Sequence, residues 1–129
     1  MLDAYELVQA QTALQLSDSQ YPQFVARLKK LQETRRRQLM QRTRLLQELR
    51  KLTMSSASDD AAIRERLKAL SDLDEQSAAT IRRESAAVDE ILDPRQQAQF
   101  RLLEDRVERQ KLDLLMRARE RAGRRGEGK

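Results

Sequence analysis

Residues 24–54 read FVARLKKLQETRRRQLMQRTRLLQELRKLTM. Within this stretch Phe24, Leu28, Leu31, Arg35, Gln38, Arg42, Leu45, Leu49 and Leu52 recur at alternating steps of four and three. That spacing lines side chains along one stripe of an α-helix and lets helices pair lengthwise. The stripe is apolar at both ends and polar in its middle. A run of small polar residues follows, Thr53-Met54-Ser55-Ser56-Ala57-Ser58, after which Ser58 or Asp59 is a suitable N-cap for a new helix. The second stripe runs Ile63, Leu67, Leu70, Asp74, Ser77, Ile81, Glu84, Val88 and Ile91, again at steps of four and three. Folding one stripe onto the other about the loop pairs Leu52 with Ile63, Leu49 with Leu67 and Leu45 with Leu70. Arg42 then meets Asp74, and Gln38 meets Ser77. The polar breaks coincide, so two independent patterns specify one antiparallel register. Each arm of roughly 30 residues spans about 45 Å.

Shorter helices flank this hairpin. Leu7, Ala10 and Leu14 define a first amphipathic helix, and Phe100, Leu103, Val107, Gln110 and Leu114 line one face of a last. The expected fold is all-α, four helices at about 3–15, 18–54, 59–91 and 94–120, in a single domain over 1–121. Residues 122–129, Ala-Gly-Arg-Arg-Gly-Glu-Gly-Lys, are expected to form a disordered basic tail.

The 129 residues are 36% charged and 3% aromatic, with no cysteine and no histidine. Little material is left for a large globular core, and such chains bury apolar surface by pairing helices, often with a second copy. The missing thiols and imidazoles remove the commonest nucleophile, the commonest acid/base and the best ligands for zinc or copper. A non-enzymatic role without cofactors is therefore expected. Carboxylates at Asp59 and Asp60, or at Asp89, Glu90 and Asp93, read as charges that complement helix ends more readily than as a cation site. No apolar run approaches the ~20 residues that cross a bilayer. The first residues show no basic segment followed by an apolar stretch, so an export signal is expected to have been removed or never to have existed.

A motif is used twice. Leu16-Ser17-Asp18-Ser19-Gln20 and Leu92-Asp93-Pro94-Arg95-Gln96 each lead, four residues past the glutamine, to a phenylalanine, Phe24 and Phe100. In each the leucine precedes the cap, Ser17 or Asp93 caps, and glutamine at the third helical position reaches back to close the box. Pro94 sits at the first helical position, where proline is favoured. Pro22 lies deeper, so the second helix either bends there or starts near Tyr21. Together the motifs resemble the paired LTxxQ signatures of the Spy/CpxP-like periplasmic family, which also includes metal-resistance sensors. Both depart from the pattern at the threonine, replaced by Ser17 and Asp93, residues that cap equally well. The resemblance implies a four-helix, cradle-shaped homodimer in the periplasm, acting as an ATP-independent chaperone on unfolded clients or as a stress or metal sensor with a signalling partner.

The net charge is +5 and the pI near 10.0. The basic residues crowd the first arm of the hairpin, whereas the second is mostly acidic. Arginines interleaved with apolar side chains suit adaptable binding of unfolded or acidic segments. Arg35, Arg36, Arg42 and Arg44 are the candidates for electrostatic capture of clients, with Leu39, Met40 and Leu46 for apolar contact. Sequence-specific nucleic-acid binding is not expected, since stacking aromatics are nearly absent and no zinc-finger or RNA-binding signature occurs.

Overall fold

The computed structural model describes residues 2–57 and 59–127, and these form four α-helices with no strand among them. In chain order they are α1 (Asp3–Leu14), α2 (Gln20–Met54), α3 (Asp60–Asp89) and α4 (Pro94–Glu127).

Local chemistry fixes each boundary. α1 stops because Gln15 turns left-handed, with φ 51° and ψ 53°, and its N–H donates to the Gln11 carbonyl; such a residue just past the last turn is a common helix terminator. At the next start, Ser17 Oγ accepts from the Gln20 N–H at 3.1 Å while the Ser17 N–H donates to Gln20 Oε1 at 3.0 Å. Unbroken helix runs from Gln20, but the Tyr21 N–H already donates to the Ser17 carbonyl at 3.0 Å, so Pro22 follows the first helical bond and, having no N–H, leaves out the next one, to the Asp18 carbonyl. The Asp59 carboxylate accepts from the Ala61 N–H at 2.9 Å and caps α3; the other candidate cap, Ser58, lies outside the described residues. Asp93 and Gln96 repeat the reciprocal box of Ser17 and Gln20, at 2.8 Å and 3.1 Å.

The chain divides into two compact units where the sequence led us to expect one. Phe24–Glu90 form the first, and α1, α4 and the two motif segments form the second. In the hairpin unit α2 and α3 run antiparallel in the anticipated register. From the loop inward, Arg66 meets Glu48 at 2.8 Å, Arg42 meets Asp74 at 3.1 Å, the Thr34 hydroxyl donates to Glu84 at 2.9 Å, and Arg27 meets Glu90 at 3.2 Å. Arg27 Nη1 also donates to the Ala87 carbonyl. Phe24, Leu28, Leu31 and Val88 are fully buried, but from Thr34 to the loop, and from the loop to Ala87, no described residue is. Leu45, Leu49, Leu52, Ile63 and Leu70 are half-buried, because two helices alone cover only the strip between them.

In the other unit α1 lies along α4. Ala10 and Leu14 of α1 and Phe100, Leu103 and Val107 of α4 are buried. After Lys111 the described part of α4 is exposed, yet it remains helical to Glu127. Of the stretch 122–129, where composition pointed to a disordered tail, residues 122–127 are helical and 128–129 lie outside the described residues. Arginine, alanine and glutamate are good helix formers, and Arg124 reaches Glu120 one turn earlier at 3.8 Å. Their propensity outweighs the roughly 1 kcal/mol that each of Gly123 and Gly126 costs.

Candidate functional site

The two motifs meet. Gln20 Nε2 donates to Gln96 Oε1 at 2.9 Å, and Gln96 Nε2 donates back to Gln20 Oε1 at 3.1 Å. The second hydrogen of each amide goes to a backbone carbonyl beside the other motif, Gln20 to Ile91 at 2.8 Å and Gln96 to Leu14 at 3.2 Å. Each carbonyl oxygen also accepts from the N–H of its own cap residue. A primary amide has two donors and two acceptor lone pairs, and here all four are used on both side chains. Leu92 is buried beside this cluster, Leu16 is half-buried, and the capping residues Ser17 and Asp93 face solvent. The motif residues therefore act as a structural clasp. Local capping chemistry was readable from residue spacing, whereas the pairing of Gln20 with Gln96, 76 positions apart, had no sequence signal beyond the repetition of the motif.

The seven candidate capture residues do not share one face. On a helix, steps of four, three and four keep side chains on one stripe, so Arg35, Leu39, Arg42 and Leu46 line up beside the hairpin seam. Arg36, Met40 and Arg44 follow steps of four, on average about 130° away, and lie on the back of α2. Leu39 and Met40 are both well exposed, at 63% and 67%, but adjacent positions point in different directions. Arg42 is held by Asp74. Arg36 bridges Glu33 at 3.1 Å with its side chain still 62% exposed.

The two broad faces of the hairpin differ in chemistry. One carries a groove of about 270 Å³ whose lining includes Thr34, Gln38, Gln41, Gln76, Ser77 and Thr80, a surface rich in hydroxyls and amides. Leu39 and Leu46 lie on the opposite flank of the α2 stripe from Thr34 and Gln41. On α3, Ser71 and Ala78 likewise lie across the stripe from Thr80, and Leu67, a residue of the stripe itself, is 51% exposed and lines a groove with them. They therefore belong to the other face, where a shallow groove runs along Leu67, Leu70, Ser71 and Ala78 beside Asp74 and Glu75. This second face combines exposed leucines with the Arg42–Asp74 pair.

Among the described residues no three carboxylates group closely enough to share a metal ion, and no helix is long and apolar enough to cross a membrane. Compared with known proteins, the chain matches no family model, no curated protein and no solved structure.

Proposed function

We propose that this protein is a holdase that captures unfolding polypeptide, without nucleotide, on the hairpin face bearing Leu39, Leu46 and Leu67. The observation that carries this reading is the half-covered seam. A row of leucines stays accessible along the hairpin beside arginine and carboxylate groups. Leucine side chains hold apolar segments by area alone, which is non-directional and tolerant of sequence. The arginines on the back of α2, Arg36 and Arg44, add long-range attraction for acidic clients, an effect on encounter more than on retention. The motif resemblance supports a place in the cell envelope and a role of the Spy/CpxP type; a stress sensor that engages a signalling partner uses the same kind of surface.

The test is light scattering of a chemically denatured model client diluted into buffer with and without the protein. Equimolar protein should suppress aggregation with no nucleotide present. Leu39→Ser together with Leu46→Ser should abolish most of the suppression, whereas Met40→Ser, on the other stripe, should not. Arg36→Glu with Arg44→Glu should slow capture of an acidic client, and the difference should fade as salt rises. All these positions except Leu46 are well exposed, so the fold should tolerate the changes. Failure of the wild-type protein to suppress aggregation at equimolar ratio sinks the holdase reading and leaves the sensor or a helical scaffold. Tight, salt-sensitive binding of generic DNA in a parallel titration, with no effect on the client, transfers the basic face to nucleic acid instead.

A further inference from the structure

α4 carries two stripes. Phe100, Leu103 and Val107 lie on the buried one. On the opposite side of the same helix Ala98, Leu102, Asp105, Arg109, Leu112 and Met116 follow one another at steps of four and three, an uninterrupted heptad pattern about 27 Å long. All six are exposed. Leu102 is 64%, Leu112 60% and Met116 55% exposed, and large apolar side chains in regular heptad register on a free helix face are the signature of a helix that pairs lengthwise.

The order of residues along this stripe identifies the partner. Set two copies of it side by side and antiparallel, centred between Asp105 and Arg109. Asp105 of one copy then faces Arg109 of the other, twice. Leu102 faces Leu112 twice, and Ala98 faces Met116 twice, small against large. Every layer is matched in charge, polarity or volume, and the arrangement alternates the two core positions of the heptad, as antiparallel coiled coils require. A parallel arrangement would oppose Asp105 to Asp105 and Arg109 to Arg109 in consecutive layers. Sliding the antiparallel pair by half a heptad puts the leucines against charges. The matched segment ends where the next layer would bring Arg95 against Arg119. In the single chain Asp105 and Arg109 pair with each other across one turn at 3.0 Å, with side chains 56% and 79% exposed, a contact weak enough to be shared with a second pair.

We infer that this face of α4 is the homodimer interface, two α4 helices packing antiparallel about a twofold axis with a central Asp105–Arg109 ring. The inference rests on α4 alone and is independent of the holdase reading. A self-complementary patch of this kind gives a closed, isologous dimer.

Sedimentation and cysteine cross-linking of the full chain test it. Wild type should sediment as a dimer at micromolar concentration. Asp105→Arg gathers four guanidinium groups at the centre and Arg109→Asp gathers four carboxylates, so each variant alone should dimerise roughly tenfold more weakly or worse. An equimolar mixture should regain the dimer, because every Arg then faces an Asp. Circular dichroism should show both variants folded, since the changed side chains are exposed. The chain has no cysteine, so introduced thiols report without background. Leu102→Cys and Leu112→Cys should each stay uncrosslinked alone and join when mixed. A wild-type monomer at tens of micromolar, whose stripe would then await a helix of another protein, overturns the inference. So do variants that dimerise as wild type, a mixture that fails to recover, or Leu102→Cys that crosslinks to itself as readily as to Leu112→Cys. The client-aggregation assay reads a different face, so the two proposals fail separately.

Discussion

Replacing Gln96 by glutamate is the sharpest probe of the clasp. The side chain is only 7% exposed and makes four hydrogen bonds, two as donor. Glutamate has nearly the same shape but, when ionised, donates none. The Leu14 carbonyl, whose donor is Gln96 Nε2 at 3.2 Å, is left without it, and Gln20 Oε1 exchanges a donor for a carboxylate oxygen. An orphaned buried acceptor costs about 1–3 kcal/mol. With the repulsion at Gln20 added, the expected loss is about 2–4 kcal/mol, or roughly 1–2 M in urea midpoint for a chain of this size. The loss should depend on pH with a definite sign. Burial raises the pKa of the introduced carboxyl group in the folded protein above its unfolded value. The folded state then binds more protons than the unfolded one between those two values, so stability falls as pH rises through that window. Below the unfolded pKa the protonated acid restores one donor and the penalty is smallest. Urea unfolding of Gln96→Glu and wild type from about pH 4 to 8, spanning the ordinary and raised carboxyl range and followed by circular dichroism, measures both quantities. A variant within about 0.5 kcal/mol of wild type, the scale of a neutral surface change, or a loss that does not change across this range, would refute the clasp.

Two further outcomes follow from the hairpin. Because the Arg42 and Asp74 side chains are 40% and 43% exposed, solvent screening limits their coupling: Arg42→Asp should cost about 1 kcal/mol, and the exchanged pair Arg42→Asp with Asp74→Arg should recover roughly half of it, whereas strict additivity in a double-mutant cycle would remove this layer from the register. Hydrogen exchange should show a gradient along each arm, with amides near Leu28, Leu31 and Val88 exchanging roughly tenfold or more slowly than those near Leu49 and Ile63; uniform protection would contradict a seam that opens toward the loop.

What the sequence disclosed follows from how far apart the deciding residues lie. The capping boxes at Ser17 and Asp93 depend on atoms three residues away, so spacing alone revealed them. The hairpin register depends on residues 32 positions apart at the Arg42–Asp74 layer, and it was legible because each arm carries its own polar break. The clasp joins Gln20 to Ile91 and Gln96 across 71 and 76 positions, and a glutamine that closes its own box gives no sign of a second partner. The split between Arg35, Leu39, Arg42 and Leu46 on one stripe and Arg36, Met40 and Arg44 on another was present in helical arithmetic, but grouping residues by charge and hydropathy concealed it. The persistence of α4 through Gly123 and Gly126 was hidden because basic, glycine-containing composition reads as a tail while arginine propensity and i,i+4 pairing still favour helix.

A heptad stripe states that a helix has a partner, but not how much of each side chain the partner covers, and the holdase that we propose would work in that difference. Around Phe24, Leu28 and Leu31 the seam is closed and packing fixes it. From Arg35 onward the same periodicity continues with polar residues and half-covered leucines, held in register by ion pairs of modest strength. Full burial there would add stability, at about 25 cal/mol for each Å² of apolar surface removed from water, and would remove the surface that we assign to client capture. An arm that is specified in register yet left partly uncovered keeps its leucines aligned and available. A binding surface without a pocket needs that combination: order enough to present a continuous row, and too little burial to satisfy it internally.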